Sequence, residues 1–149
     1  MDLFERIQNI KNINYEKELQ NTIIMVKEEL KNIIIKRRCK IYNGHLFRKL
    51  IQKHMIVHLI NTLDLGLTYE HVFLLVPMTL KDGYYLVDLT YEQFNNKDEV
   101  TFKGLLQNGY QKINDLEFNA YLRNIESNDK IFLLEDAFYL ANSEVQQKR

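Results

Sequence analysis

The stretch from Glu70 to Phe94, EHVFLLVPMTLKDGYYLVDLTYEQF, decides the fold because it holds two runs of strand-forming residues around a turn. His71–Met78 is rich in aliphatic and aromatic residues, which favour a pleated backbone with buried side chains. Tyr84–Asp88 is a second such run. Lys81-Asp82-Gly83 lies between them, and an Asp-Gly pair tolerates the positive φ of a hairpin turn. The stretch therefore predicts a β-hairpin whose outer ends come close together.

The two runs are expected to pair antiparallel with His71 directly beside Asp88. In an antiparallel ladder the residue numbers of paired positions have a constant sum. For this pair the sum is 159. That register centres the turn slightly before Asp82. A β-bulge could absorb the offset between this centre and the Asp-Gly pair.

Helical patterns precede the hairpin. Over Tyr15–Lys36 apolar residues recur at steps of three and four, which places them on one helical face: Leu19, Ile23, Val26, Leu30 and Ile33. Asn14 is a suitable N-cap, because its side chain can accept a hydrogen bond from an amide of the first turn. A second helix is predicted within Cys39–His54, and a shorter one over Asp2–Ile10.

The rest of the chain is predicted as one short strand and several helices. The strand covers Met55–Ile60, and the helices cover Glu99–Gln107, Asp115–Asn124 and Lys130–Ala141. Helices, then strands, then helices indicate an α+β fold. We therefore expect one domain over residues 1–149, in which N-terminal helices pack against an antiparallel sheet. Its parts are a helical lead-in (1–38), a core (39–94) and a helical C-terminal extension (95–149).

Composition narrows the class of protein. The chain has 149 residues, 46% of them hydrophobic and 27% charged, and its 20 basic and 20 acidic side chains give no net charge. A nucleic-acid-binding domain usually carries a basic excess, so we expect no nucleic-acid partner. No apolar run approaches the roughly 18 residues of a membrane span, and the polar N-terminus does not look like a secretory signal. We therefore expect a cytoplasmic protein without a membrane partner.

Three residues of the core carry chemistry together. Cys39 lies at the predicted start of a helix, where free backbone amides and the helix dipole stabilise a thiolate, and the cations of Lys36-Arg37-Arg38 precede it. His71 opens one strand and Asp88 ends the next, so the hairpin lets the carboxylate orient the imidazole toward the thiol. A thiol, a base and an orienting group are the parts of a nucleophilic catalytic triad.

The same residues resemble a known family. A cysteine before a helix, the strand Glu70-His71-Val72-Phe73 and the segment Leu86–Phe94 look like the transglutaminase-like branch of the papain-like cysteine enzymes. Asp88–Phe94 is similar to that family's D-x-T-x-x-Q-F run. The resemblance covers about Cys39 to Phe94 and leaves residues 1–38 and 95–149 outside it.

The resemblance implies a papain-like core with Cys39, His71 and Asp88 as catalytic triad, without a cofactor or a metal. The implied chemistry is thiol-dependent acyl transfer or amide hydrolysis on a peptide, a protein or another amide or thioester. A bacterial-type maturation peptidase, amidase or effector fits the length of the chain. The family's oxyanion-hole side chain has no evident counterpart; Asn32 is one candidate, and the Cys39 backbone amide could act alone. Thr90, Gln93 and Phe94 are expected to hold the turn after Asp88 and to pack the core.

Three alternatives stay open beside this prediction. A catalytically inactive relative would keep the fold and use the old groove as a protein-binding module. A helical interaction protein would present the face from Leu19 to Ile33 to a partner. His54 and His58 could bind zinc from one helical turn, although the strand character of the residues between them argues against it. His45 is expected at the surface or along a substrate groove.

Overall fold

The fold is built on one antiparallel sheet. The computed structural model describes Leu3 and residues 14–77 and 83–127. Within these ranges four strands pair in the order β1-β2-β3-β4, each antiparallel to the next: His58–Asn61 (β1), Val72–Pro77 (β2), Tyr84–Val87 (β3) and Tyr110–Ile113 (β4). The predicted hairpin is confirmed as β2 and β3. Lys81 and Asp82 of its turn lie outside the described residues, and Gly83 has the positive φ of 117° that the turn prediction requires.

The helices of the described ranges are Tyr15–Glu29 (α1), Cys39–Gln52 (α2), Lys103–Asn108 (α3) and Asp115–Ser127 (α4). The predicted N-cap of α1 is confirmed, because Asn14 Oδ1 accepts a hydrogen bond of 3.1 Å from the backbone N–H of Lys17. α1 ends at Glu29 rather than near Lys36. Leu30 and Ile33, the last two positions of the predicted stripe, pack against the core from the irregular segment that follows.

The sheet carries a helical layer on each face, because successive side chains of a strand point to opposite sides. Leu74 and Val87 point toward α1 and α2, while Phe73 and Leu86 point toward the other core, which Tyr121 of α4 completes. A mixed α and β fold with an antiparallel sheet is thereby confirmed. None of the helices in the described ranges is long and apolar enough to cross a lipid bilayer.

The apolar face of α1 is internal. Leu19, Ile23 and Val26 are at most 2% exposed and pack against α2 and the sheet. The alternative in which this face binds a partner protein is therefore wrong. The stripe reflects the amphipathic pattern of a helix that covers its own domain.

The predicted helical extension from residue 95 onward contains a strand. β4 pairs with β3 along its whole length, and it follows α3 after Gly109, whose φ of 81° ends that helix. The prediction was wrong here because four residues between two helices are too short for a clear alternating pattern. The predicted helix over Asp115–Asn124 is confirmed as α4. The predicted helices over Asp2–Ile10 and Lys130–Ala141 lie outside the described residues, apart from Leu3.

Candidate active site at Cys39, His71 and Asp88

His71 and Asp88 lie at the open end of the β2–β3 hairpin. Leu74 pairs with Val87, so paired residue numbers sum to 161 rather than the predicted 159. The predicted register was wrong because it set His71 directly opposite Asp88, whereas the two positions are diagonal neighbours on one face of the sheet. Their side chains span the diagonal, and His71 Nε2 lies 2.7 Å from Asp88 Oδ2.

The Asp88 carboxylate is fully buried and accepts five hydrogen bonds. Oδ2 accepts from His71 Nε2 and from the hydroxyl of Tyr121, each at 2.7 Å. Oδ1 accepts from Asn43 Nδ2 at 2.9 Å and from the backbone N–H and hydroxyl of Thr90 at 3.0 Å each. Burial by itself raises the pKa of Asp88, but the charge of His71 and these hydrogen bonds outweigh it and hold the pKa below its ordinary value. Asp88 is therefore an ionised acceptor.

Asn43 connects the helix that begins at Cys39 to both strands of the hairpin. Its Nδ2 donates to Asp88 Oδ1 and, at 2.8 Å, to the backbone carbonyl of Val72. Its Oδ1 accepts from the backbone N–H of Leu89 at 2.9 Å. The prediction from sequence missed this residue. A signal existed: Asn43 follows Cys39 by four positions, which puts both on one face of α2.

Tyr121 reaches Asp88 from α4, inside the segment that the family resemblance leaves out. Its side chain is fully buried and donates its hydroxyl proton to Asp88. Burial, followed by the charge of Asp88, raises the pKa of Tyr121 well above its ordinary value, so the phenol remains a donor at all working pH values. No local feature of the sequence could have indicated this role.

His71 is fixed through its backbone as well as its ring. The hydroxyl of Thr62 accepts from the His71 N–H at 2.8 Å, and the Thr62 N–H donates to the His71 carbonyl at 2.9 Å. The ring of Phe94 packs edge-on against the imidazole with 4.8 Å between centroids. Burial lowers the pKa of His71, but the charge and hydrogen bond of Asp88 outweigh it, and Cys39 adds to them, so that the pKa is raised to about 9.

Cys39 is the first residue of α2, as predicted, and its thiol is free and half-buried. Its side chain lies close enough to the imidazole of His71 to contribute, after Asp88, to the raised pKa of that ring. Nε2 of His71 is engaged with Asp88, which leaves Nδ1 for the thiol. Nδ1 has no partner with regular hydrogen-bond geometry in the described part of the chain. The thiol therefore lies beside the ring without a regular hydrogen bond to Nδ1.

The loop before Cys39 is held by Gln93. Arg37 adopts a left-handed backbone conformation with φ of 64°, which a residue with a β-carbon seldom does. The backbone N–H of Arg37 donates to Gln93 Oε1 at 3.1 Å. Nε2 of the same amide is buried and meets no acceptor within the described ranges. The predicted roles of Thr90 and Phe94 are confirmed, because Thr90 holds the turn through Asp88 and Phe94 is buried in the core. Gln93 in addition holds the loop before Cys39.

A cleft of about 500 Å³ opens in front of the thiol. Its walls come from the start of α2 and from the loop that leads into β2: Arg37, Cys39, Lys40, Ile41, Leu63, Thr68, Tyr69 and Glu70. His71 is not among the lining residues and is fully buried. A molecule in the cleft therefore reaches Cys39 directly, while the imidazole acts from the protein side. A second cavity of about 270 Å³ behind Asp88 includes neither Cys39 nor His71.

The remaining predicted site residues do not join this cluster. Asn32 is exposed, so water competes for its side-chain amide and it is a poor oxyanion donor. His45 pairs with Glu29 at 2.8 Å across α1 and α2 instead of lining a groove. His54 follows α2, and His58 begins β1, so the pair does not share a helical turn. Across the described residues, no group of three or more histidine, cysteine or acidic side chains is arranged to hold a metal ion.

Comparison of the chain with models of known families, with curated proteins and with solved structures found no match.

Proposed function

We propose that this protein catalyses thiol-dependent acyl transfer or amide hydrolysis through Cys39, His71 and Asp88, on a transglutaminase-like form of the papain-like fold. The observation that carries the proposal is the buried 2.7 Å contact between His71 and Asp88, with Cys39 interacting with the same imidazole. Compared with well-packed apolar side chains of the same volume, a buried ion pair adds little to stability, because desolvation offsets the attraction between the charges. A pair directed at a half-buried thiol beside a cleft favours a catalytic role.

In the first half of the reaction Cys39 forms an acyl-enzyme. The thiolate attacks the carbonyl carbon of an amide or thioester, a sulfur–carbon bond forms, and the carbonyl electron pair moves to oxygen. His71, cationic at neutral pH, donates its Nδ1 proton to the leaving nitrogen or sulfur as the bond to that atom breaks. Asp88 keeps the imidazole oriented and stabilises its cationic form.

In the second half the acyl group leaves Cys39. Water or an amine attacks the thioester carbon and gives a proton to His71, which the first half left neutral. The sulfur–carbon bond breaks and the thiolate is restored. Attack by water gives hydrolysis, and attack by an amine gives transamidation. Both outcomes use the same three residues.

We assign stabilisation of the oxyanion to the Cys39 backbone N–H and to the side-chain amide of Gln93. α2 begins without a side-chain cap and without an acidic residue in its first turn, which leaves the amide of its first residue available to a developing negative charge. Gln93 carries a buried N–H donor that meets no acceptor among the described residues, and its Oε1 accepts a hydrogen bond from the loop residue two positions before Cys39. Gln93 replaces Asn32 as the candidate.

Reaction with p-nitrophenyl acetate, a small activated acyl donor, tests the proposal without knowledge of the natural substrate. We expect a burst of p-nitrophenol of about one equivalent per chain, with the acetyl group found on Cys39 by peptide mass spectrometry. Cys39→Ala should abolish the burst while its melting temperature stays close to wild type. Acetylation no faster than in the urea-unfolded chain would reject the triad and favour the protein-binding module.

A further inference from the structure

We infer that the ion pair between Lys40 and Glu70 positions the imidazole of His71 against the thiol of Cys39, from the cleft side of the site. Each member of the ion pair is a chain neighbour of a group that it positions, since Lys40 follows Cys39 and Glu70 precedes His71. The inference deepens the proposed function, on which it rests, and it makes Lys40 and Glu70 positioning residues.

The thiol and the imidazole depend on other contacts to keep them together. In the described part of the chain, Nδ1 of His71 has no regular hydrogen bond to the thiol of Cys39. Their separation is therefore set by how the backbone is held at the start of α2 and just before β2. Contacts that join these two places fix the distance across which a proton passes.

One such contact lies on the protein side of the site. The buried side chain of Asn43, on α2, donates to the Val72 carbonyl at 2.8 Å and accepts from the Leu89 N–H at 2.9 Å. It holds the helix to the hairpin from behind. The opposite side faces the cleft, and Asn43 does not reach it.

The ion pair supplies a contact on the cleft side. Lys40 Nζ lies 2.7 Å from Glu70 Oε1, and both side chains line the cleft in front of Cys39. The hydrogen bond and the charge of Glu70 raise the pKa of Lys40, and the charge of Cys39 adds to them, so the ammonium lies near the thiol. The pair thus joins the first turn of α2 to the residue before His71.

Glu70 is itself held in place. Its Oε2 accepts from Asn61 Nδ2 at 2.9 Å, and Asn61 Oδ1 accepts from the backbone N–H of Leu63 at 3.0 Å. The hydrogen bonds of Asn61 and Lys40 lower the pKa of Glu70, so the carboxylate stays ionised. An isolated surface ion pair contributes little, but one that belongs to a network keeps a defined geometry. The engagement of both oxygens of Glu70 gives this pair such a network.

The rate of Cys39 alkylation by iodoacetamide tests the inference. It is expressed as the ratio of the rate in the folded chain to the rate in the urea-unfolded chain, and it requires no acyl donor. We expect Lys40→Met, Glu70→Met and the double variant each to lower this ratio about threefold, the size of effect that an exposed ion pair can supply. The three losses should be equal because each change breaks the same contact. Melting temperatures should stay close to wild type.

Two controls separate positioning from a general effect of charge. Lys53→Met breaks an ion pair with Glu18 of 3.0 Å, whose side chains are 35% and 39% exposed, and it should leave the ratio unchanged. In a chain that already carries His71→Gln, Lys40→Met should have no further effect, because there is no imidazole left to position. An ammonium that acted directly on the thiolate would keep its effect there.

The outcomes distinguish this inference from the proposed reaction. An unchanged ratio in either single variant, losses that multiply in the double variant, a loss that persists beside His71→Gln, or a wild-type ratio near one would overturn the inference. The expected pattern in a chain that gives no acetyl burst would leave the inference standing and reject the proposed reaction. An acetyl burst together with unchanged ratios would do the reverse.

Discussion

The phenol of Tyr121 and the imidazole of His71 hydrogen-bond the same oxygen of Asp88, each at 2.7 Å. The two donors come from different layers, since Tyr121 lies on α4 and His71 at the start of β2. A carboxylate that two such groups share keeps one orientation, and the imidazole it binds keeps one direction toward the thiol. Helix α4 is thereby part of the candidate site.

Replacing Tyr121 with Phe should lower both the stability of the protein and the reactivity of Cys39, without separating Cys39, His71 and Asp88. Asp88 would lose one of its hydrogen bonds, and its pKa would rise toward the ordinary value because that bond favours the ionised form. We expect a loss of about 1–2 kcal/mol in unfolding free energy and about a tenfold lower rate of Cys39 acetylation. Tyr84→Phe, which removes a more exposed phenol bonded to Asp115, is the matched control and should change neither quantity appreciably.

Replacing Asn43 with Ala should lower the stability of the fold substantially. Three hydrogen bonds would be lost, and the buried N–H of Leu89 would have no acceptor. We expect a loss of about 3 kcal/mol in unfolding free energy, measured by urea titration. Asn32→Ala, at an exposed position, should stay within about 0.5 kcal/mol of wild type. Similar values for both variants would show that Asn43 does not connect α2 to the hairpin.

The unfolding free energy should depend on pH in the direction set by the buried pair of His71 and Asp88. The pKa of His71 is raised from 6.5 to about 9, so its protonated form contributes stability that is complete below the unfolded pKa and is lost as pH rises through about 9. The pKa of Asp88 is lowered, so its contribution is present above its unfolded value of about 3.9 and is lost as pH falls.

We therefore expect the unfolding free energy to fall by on the order of 3 kcal/mol as pH rises from about 6.5 through 9. His71→Gln keeps an amide donor for Asp88 but cannot titrate, and it should remove most of this slope. Urea titrations at several pH values measure this pH dependence in wild type and in His71→Gln. Parallel slopes in the two proteins would mean that His71 is not held in its charged form.

Gln93 should act as a donor as well as a support for the loop. Gln93→Glu keeps an oxygen for the Arg37 N–H but loses the N–H donor, whereas Gln93→Met loses both. We expect both variants to lower the maximal acylation rate by about a hundredfold, with little change in the half-saturating concentration of acyl donor. Full activity in Gln93→Glu together with loss in Gln93→Met would limit Gln93 to positioning the loop.

Local sequence features predicted the elements that depend on local chemistry. The Asn14 cap and the spacing of Leu19, Ile23 and Val26 predicted α1, and the two strand-forming runs predicted β2 and β3. β4 was missed because its pairing with β3, rather than its own four residues, makes it a strand. The predicted β2–β3 register gave paired residue numbers a sum of 159, whereas the sum is 161. It assumed that His71 and Asp88 are directly opposite, but a side-chain contact can also cross the ladder diagonally.

The candidate site also contains residues that the sequence could predict and residues that it could not. Cys39, His71 and Asp88 were selected by residue type, order and family resemblance, and the structure brings them together. Tyr121 lies 33 positions from Asp88, and its role depends on how α4 packs against the sheet. Such a contact leaves no trace in local spacing. Gln93 belongs to the Asp88–Phe94 segment that resembles the family. Its side-chain partner, the N–H of Arg37, lies in the distant loop before α2 and could not be predicted from that segment.

The central claim is that Cys39 and His71 act as a thiolate and imidazolium pair. The rate of Cys39 alkylation by iodoacetamide, measured from about pH 5 to 9 in wild type and in His71→Gln, tests it most directly. The account predicts that folded wild type is alkylated faster than its urea-unfolded chain and that His71→Gln loses this advantage. Slow alkylation with superimposable pH profiles in the two folded proteins would contradict the account and leave Cys39 as a structural residue.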